Sequence, residues 1–280
     1  MPRILIAGCG YVGLATADLF HRAGWKVEGW TRFNAGTSKP YPIHAIDITD
    51  AKQIHACEGD FDVIVHCAST RGGDVDLYRR VYLNGARNLL ERFAPSTILF
   101  TSSTSVYAQI NGERVTEESA AEPRHQTGQI LRETEKLFLA HSGIVARLAG
   151  IHGPGRSALL STFLAGNAVI DPENDRLINQ VHRDDIAAAL FLLLDRQREA
   201  KQIYNVVDDQ PIRQSECYGW LAKKLNRPLP PVGESAARSK RGETSKCVSN
   251  AKLRGLGWTP RYPTFAEAME KSILPSFGQV

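Results

Sequence analysis

Ile4-Leu5-Ile6-Ala7-Gly8-Cys9-Gly10-Tyr11-Val12-Gly13 decides how the rest of the chain is read. Four apolar or small residues form a short strand, three glycines follow in G-x-G-x-x-G spacing, and an apolar helical pattern (Leu14, Ala15, Ala17, Leu19, Phe20) begins at once. Gly8 lets the chain turn off the strand. Gly10 lets the backbone approach a diphosphate with no Cβ in the way, and Gly13 lets the helix pack close to the sheet. The helix amino end adds unpaired N–H groups and the positive end of its dipole. Glycine turns are common, and it is the strand before and the helix after that make this one a dinucleotide loop. Gly8, Gly10, Tyr11, Val12 and Gly13 are its candidate contacts.

Downstream, short apolar strands alternate with amphipathic helices. Lys26–Trp30 reads as a second strand ending at Thr31-Arg32, Ile43–Ile46 as a third, Asp62–His66 as a fourth, Thr97–Thr101 as a fifth and Ile144–Leu148 as a sixth. Helices are expected over about 74–92 and 127–141. In the second, Ile130, Leu131, Leu137 and Phe138 make the apolar side; Arg132, Glu133, Glu135 and Lys136 make the polar one. This alternation predicts a parallel sheet covered on both faces. Dinucleotide folds commonly place an acid about 20 residues past the glycines, to accept from the ribose 2′-hydroxyl. Here Thr31 carries no charge and Arg32 could pair with a phosphate, which puts NADP ahead of NAD, although an arginine at a strand end is often only solvated. Asp47 and Ile48 fall where an adenine would lie, and Cys67, Ala68 and Ser69 would pass beneath the cofactor.

Beyond Pro154 the elements shorten. A helix is expected from Asp184-Asp185, a strand at 203–207, a helix over 214–225 and an extended connector at Arg227–Pro231. Residues 234–254 carry Arg238, Lys240, Arg241, Lys246, Lys252 and Arg254 against Glu234 and Glu243. They read either as a solvated loop or as a holder of an anionic substrate. The boundary is expected near residue 150, with a dinucleotide domain over 1–150 and a smaller, interwoven substrate lobe over 151–280. The 280 residues are 42% hydrophobic and carry a net charge of +4, which suits anionic small molecules without arguing for nucleic acid. No aromatic residues interleave the basic run as a nucleic-acid groove would need. The five cysteines form no C-x-x-C or Cys/His cluster, so reduced thiols in a cytoplasm are expected and a zinc site is not. The apolar start is broken by glycines and lacks the basic region of a signal peptide. No apolar run nears the roughly 20 residues of a membrane span.

Further motifs now fall into place. Phe100-Thr101-Ser102-Ser103-Thr104-Ser105-Val106-Tyr107, Arg147-Leu148-Ala149-Gly150-Ile151-His152-Gly153-Pro154-Gly155, His182-Arg183-Asp184-Asp185-Ile186-Ala187, Tyr204-Asn205-Val206 and Val248–Leu253 followed by Leu256-Gly257-Trp258 occur in this order. Together they resemble the extended short-chain dehydrogenase/reductases of the NAD-dependent epimerase/dehydratase type, over nearly the whole chain. The resemblance implies a Rossmann-type doubly wound parallel sheet with a small C-terminal substrate lobe. It also implies a small-molecule substrate such as a sugar or nucleotide sugar; a homodimer is one open expectation, since the sequence does not fix the oligomeric state. Gly8, Ser69, Ser103 and His152 are expected to converge at the carboxyl ends of the strands.

One departure stands out. Active members of the family carry Tyr-x-x-x-Lys one helix past the serine segment, and this chain has Thr127 and Leu131 there. Threonine has no accessible pKa near neutrality and leucine cannot tune one, so the chain resembles the atypical branch. Ser103 would orient a carbonyl or hydroxyl. Tyr107 is a candidate acid/base whose competing reading is a packed structural tyrosine. His152, in the place of the family's Gly-Pro-Gly-stretch tyrosine, could titrate near 6.5, or be an ordinary loop histidine; His125 is a weaker third. The expected activity is NADP-linked oxidoreductase or epimerase-like chemistry, and the competing one is a cofactor-binding sensor without turnover.

Overall fold

β1 (Arg3–Ala7) is apolar at four of five positions and buried on both faces, as the central strand of a two-sided sheet must be. It pairs in parallel with β2 (Lys26–Thr31), Ile4 beside Val27, and on its other edge with β4 (Val63–His66), Leu5 beside Ile64. With β3 (Ile43–Ala45), β5 (Thr97–Ser103), β6 (Ile144–Leu148) and β7 (Ile203–Val206), the sheet has the order β7-β6-β5-β4-β1-β2-β3. Strand order reverses between β1 and β4, so the loops leaving β1 and β4 flank the switch point, the place where such sheets bind ligands. The structure, a computed structural model, describes all residues except 34–37, 71, 94, 96, 196–199, 235–243 and 279–280. Arg238, Lys240, Arg241 and Glu243 of the basic run thus lie outside the described residues.

The expected helix over 74–92 is one run of three segments, Val75–Tyr78, a π-helical Arg79–Asn84 and Gly85–Arg92, with Asp74 capping its start. Helices Tyr11–Arg22, Gln126–Ala140 and Arg183–Asp195 follow the patterns that announced them. Among the described residues no helix is long and apolar enough to cross a membrane.

Contacts divide the chain into two units. The first comprises 1–106, 121–147 and 186–204; the second 107–120, 148–185 and 205–280. Trp30 anchors the first core, with the Phe61 and Phe93 rings 6.3 and 5.8 Å away. The second has its own core, including Leu160, Phe163, Tyr218, Leu221, Phe265 and Met269. It also holds three two-stranded ladders: Gly150–His152 with Gln180–His182, Leu177–Ile178 with Ile212–Arg213, and Glu113–Val115 with Lys246–Val248. The last corrects the loop reading of the basic run: Lys246 is a buried strand residue, and Ala251–Gly255 is a helix.

Candidate functional site

The glycine loop is held by its own backbone. Gly8 and Cys9 both donate N–H to the Trp30 carbonyl, at 3.0 and 2.7 Å, and Gly10 N–H turns back to the Gly8 carbonyl at 2.7 Å. Gly8 has φ +108°, and a Cβ there would lie 2.1 Å from the Ala68 nitrogen. The structure therefore brings Gly8 directly against Cys67 and Ala68, and the Cys67 thiol donates to the Gly8 carbonyl at 3.2 Å. Gly13 is small for a more local reason than sheet packing, since its Cβ would meet that same carbonyl at 2.3 Å. Gly10 stands at the N-cap of Tyr11–Arg22 without a side-chain cap, and no acid occupies the first turn. An amino end left so keeps its N–H groups and its positive dipole for an anion, which fits a dinucleotide diphosphate. Gly29 was missed by the sequence reading; a Cβ on it would come 2.7 Å from the Cys9 sulfur, so the strand glycine makes room for the loop. A glycine inside a strand pattern was the available signal.

At the end of β2 the Thr31 hydroxyl donates to the Phe33 carbonyl, and the exposed Arg32 lays its guanidinium 4.6 Å from the centre of the Phe33 ring. Asp47 spends its carboxylate on the Thr49 N–H at 2.9 Å. Ile48 is buried; Gly85 lies so close that a Cβ there would meet Ile48 Cδ1 at 2.8 Å. The Ile48 carbonyl accepts from Asn88 Nδ2 at 2.9 Å. Its side chain thus serves the core, where the sequence suggested an adenine surface. Ser69 is exposed.

Thr127, Leu131 and Glu135 stand four residues apart along Gln126–Ala140, one above another on a single face. Thr127 is half-buried, Leu131 is 5% exposed and Glu135 is fully buried. Glu135 corrects the helix-face reading, which put it on the polar side. Its carboxylate accepts from Ser102 Oγ at 2.6 Å and from Arg147 Nε and Nη2 at 3.0 and 2.8 Å, and Arg132 meets its second oxygen. One buried carboxylate thereby ties the helix to β5 and β6. Ser103, the next residue of β5, is half-buried and its Oγ accepts the Ser105 N–H at 3.1 Å. His125 is the N-cap residue of the helix.

The other two candidates belong to the second unit. Tyr107 is fully enclosed and its hydroxyl donates to Asn205 Oδ1 at 2.9 Å, which is the packed structural tyrosine and not an acid/base. His152 is 1% exposed, and neither ring nitrogen has a hydrogen-bond partner among the described residues. Burial, aided by His182 with its ring centre 6.0 Å away, pushes its pKa down to about 3. The expectation that it titrates near neutrality is corrected: it stays neutral. His182 accepts the Asp184 N–H on Nδ1 at 3.1 Å, so Nε2 carries the proton and donates to Ser272 Oγ at 2.9 Å. Ser272, His182 and Asp184 therefore imitate a triad with the wrong tautomer for a base.

Buried imidazoles make a prediction about acid stability. His66, pushed down to about 4 by burial, joins His152 and His182, the latter also at about 4. Each is depressed below 6.5, so the unfolded chain binds more protons than the folded one below that pH. Stability present above pH 6.5 is then lost as pH falls toward 3–4, by up to about 1.4 kcal/mol per pH unit per histidine. Asp185, raised to about 6 by burial, has the opposite sign over part of this window. Urea midpoints between pH 7 and 4.5 should fall less steeply in His152→Leu than in wild type, by about one proton. Parallel slopes would mean that His152 protonates within the fold.

Residues 4–206 match the family model described as the NAD dependent epimerase/dehydratase family. Protein YeeZ of Escherichia coli strain K12 is 26% identical over 94% of this chain and 97% of its own. Among solved structures, the UDP-glucose 4-epimerase of Thermus thermophilus in complex with NAD superposes with a TM-score of 0.83 at 21% identity, over 99% of this chain and 100% of that one. The UDP-glucose 4-epimerase of Thermotoga maritima with UDP-glucose gives 0.82 at 16% identity, over 98% of each chain. At these identities the two epimerases are similar to this chain in fold.

Proposed function

Because the chain belongs to the NAD-dependent epimerase/dehydratase family, we propose that it binds a nicotinamide dinucleotide, NADP ahead of NAD, and works on a small polar substrate such as a sugar or nucleotide sugar. The observation that carries the reading is the uncapped amino end of Tyr11–Arg22, set behind a glycine turn that admits no side chain. Gly8, Gly10, Tyr11, Val12 and Gly13 would hold the diphosphate. Arg32 would hold the ribose phosphate, Asp47 and the backbone of Ile48 would flank the adenine end, and Cys67, Ala68 and Ser69 would lie beneath the ring. When bound, the cofactor accepts or returns a hydride. Ser103 orients a substrate carbonyl or hydroxyl by hydrogen bonding. Thr127 offers a hydroxyl in the tyrosine's place that can bind but holds its proton at neutral pH, and buried Leu131 offers nothing to tune it. His152, being neutral, takes part by hydrogen bonding alone.

Calorimetric titration of NADP and NAD, followed by turnover on a panel of sugars and nucleotide sugars, tests the proposal. NADP should bind more tightly, and Arg32→Ala should remove roughly 1.5–3 kcal/mol of that affinity, as expected for a charge-assisted phosphate contact. Equal affinities, or an unchanged preference in the variant, would refute the Arg32 assignment. Tight cofactor binding with no turnover on any substrate would turn the reading to a cofactor-binding protein that does no chemistry.

A further inference from the structure

His66 ends β4 fully buried, its ring centre 5.3 Å from that of Phe100 and 6.1 Å from that of Phe138. Nε2 stands 3.2 Å from the Tyr82 carbonyl. A carbonyl can only accept, so the ring proton is on Nε2. Nδ1 is then a bare, enclosed acceptor without a partner among the described residues, which is costly. What the fold uses of this ring is its one N–H.

The carbonyl it meets lies in the π-helical segment Arg79–Asn84, where Gly85 N–H reaches back five residues to the Arg80 carbonyl. Such turns are rare and cluster at functional sites, and a side chain entering the ladder is one cause of helix distortion. Past the π turn, Gly85 and Asn88 stand three residues apart on one helix face. That face lies on Ile48. A Cβ on Gly85 would meet Ile48 Cδ1 at 2.8 Å, and Asn88 Nδ2 donates to the Ile48 carbonyl at 2.9 Å. One helical run therefore bonds to both flanks of the dinucleotide loop. On the sheet side there is no slack. Cys67, next after His66, donates its N–H to the Ala7 carbonyl at 2.8 Å and its thiol to the Gly8 carbonyl at 3.2 Å. The Ala68 backbone leaves no space for a Cβ on Gly8. A shift at the end of β4 must reach the glycine turn.

We propose that the helical run over 75–92 is a clamp that positions the cofactor site from behind. His66, through the π turn, sets the strip Cys67-Ala68-Ser69 and the glycine turn packed on it; Asn88 sets the adenine end through the Ile48 backbone. Both are positioning residues that act without touching the cofactor. The proposal rests on the cofactor reading above and adds to it two residues outside the glycine motif.

The test titrates NADP, NAD and the fragment 5′-AMP into the full chain by calorimetry, at a temperature where circular dichroism shows each variant folded. His66→Leu should weaken the preferred dinucleotide about tenfold and 5′-AMP far less, because Asn88 still holds the adenine end. Asn88→Ala should weaken both ligands by the same factor, about threefold or more. His66→Gln keeps an amide N–H near the place of Nε2 and should retain most of the dinucleotide affinity. A merely structural His66 would lower the melting temperature and leave the two ligands in their wild-type ratio. Wild-type dinucleotide affinity in both His66→Leu and Asn88→Ala, or an equal loss of dinucleotide and 5′-AMP in His66→Leu, would overturn the proposal while sparing the cofactor reading. Wild type that binds neither NADP nor NAD would overturn the cofactor reading and the clamp with it. If His66→Leu fails to fold, Asn88→Ala decides, and unchanged affinity for both ligands there overturns the proposal.

Discussion

A Glu135→Leu chain should lose about 3–5 kcal/mol of stability, the usual result of breaking a buried ion pair from one side. Arg147 is 1% exposed and directs two guanidinium nitrogens at this carboxylate, so the substitution leaves a buried cation without its carboxylate. Ser102 loses the acceptor of its hydroxyl in the same step, and Arg132 loses a partner beside it. The damage falls on the joints between helix Gln126–Ala140 and strands β5 and β6, and so on the placement of Ser103 and Thr127. Pairing the change with Arg147→Met should restore a large part of the loss, because two apolar side chains of similar volume remove both charges together. Urea unfolding of the two single variants and the double measures the coupling. A Glu135→Leu chain within about 1 kcal/mol of wild type would show that the cluster is solvated in solution.

Glu135 also marks the limit of what the sequence discloses. The glycine loop, the strands of the large sheet and the longer helices were readable because their signals are local: a short apolar strand, glycines at fixed spacing, a helical period. Glu135 sits among Arg132, Glu133 and Lys136, and a charged residue in such company belongs outside unless something specific pulls it in. That something is Arg147, twelve residues on and inside β6, where a lone arginine in an otherwise apolar strand was the only hint. The ladders of the second unit are two or three residues long, too short for an alternating pattern, and they pair Glu113 with Lys246 far apart in the chain. Lys246 was hidden in a run of cations for the same reason. The shift of His152 comes chiefly from burial, which no neighbour in sequence reports. Glu135 falls in step with Leu131 and Thr127, four and eight residues earlier on the same helix.

The glycine loop allows fold and ligand binding to be separated by two substitutions only two residues apart. Gly8→Ala should destabilise the chain by roughly 3–5 kcal/mol, the sum of a side chain at positive φ and a contact that must be pushed open. At φ +108° the new methyl would stand 2.1 Å from the Ala68 nitrogen and 2.5 Å from the Cys67 carbonyl carbon, and backbone on both sides has no rotamer to yield. Relief would require parting β1 from β4, the centre of the sheet. Gly10 differs. Its φ of −98° is not left-handed, although its ψ of −142° lies outside the regions that side chains favour, and it caps the helix without a side-chain bond that a substitution would break. Gly10→Val should therefore fold with a smaller loss of stability than Gly8→Ala and lose nicotinamide cofactor binding, since the isopropyl group would fill the space a diphosphate needs beside the helix end. Melting by circular dichroism and cofactor titration on the same samples distinguish the two effects. A Gly8→Ala chain as stable as wild type would mean that the β1–β4 crossing is looser than the geometry requires. A Gly10→Val chain that folds and still binds the cofactor at full strength would move the diphosphate away from this helix.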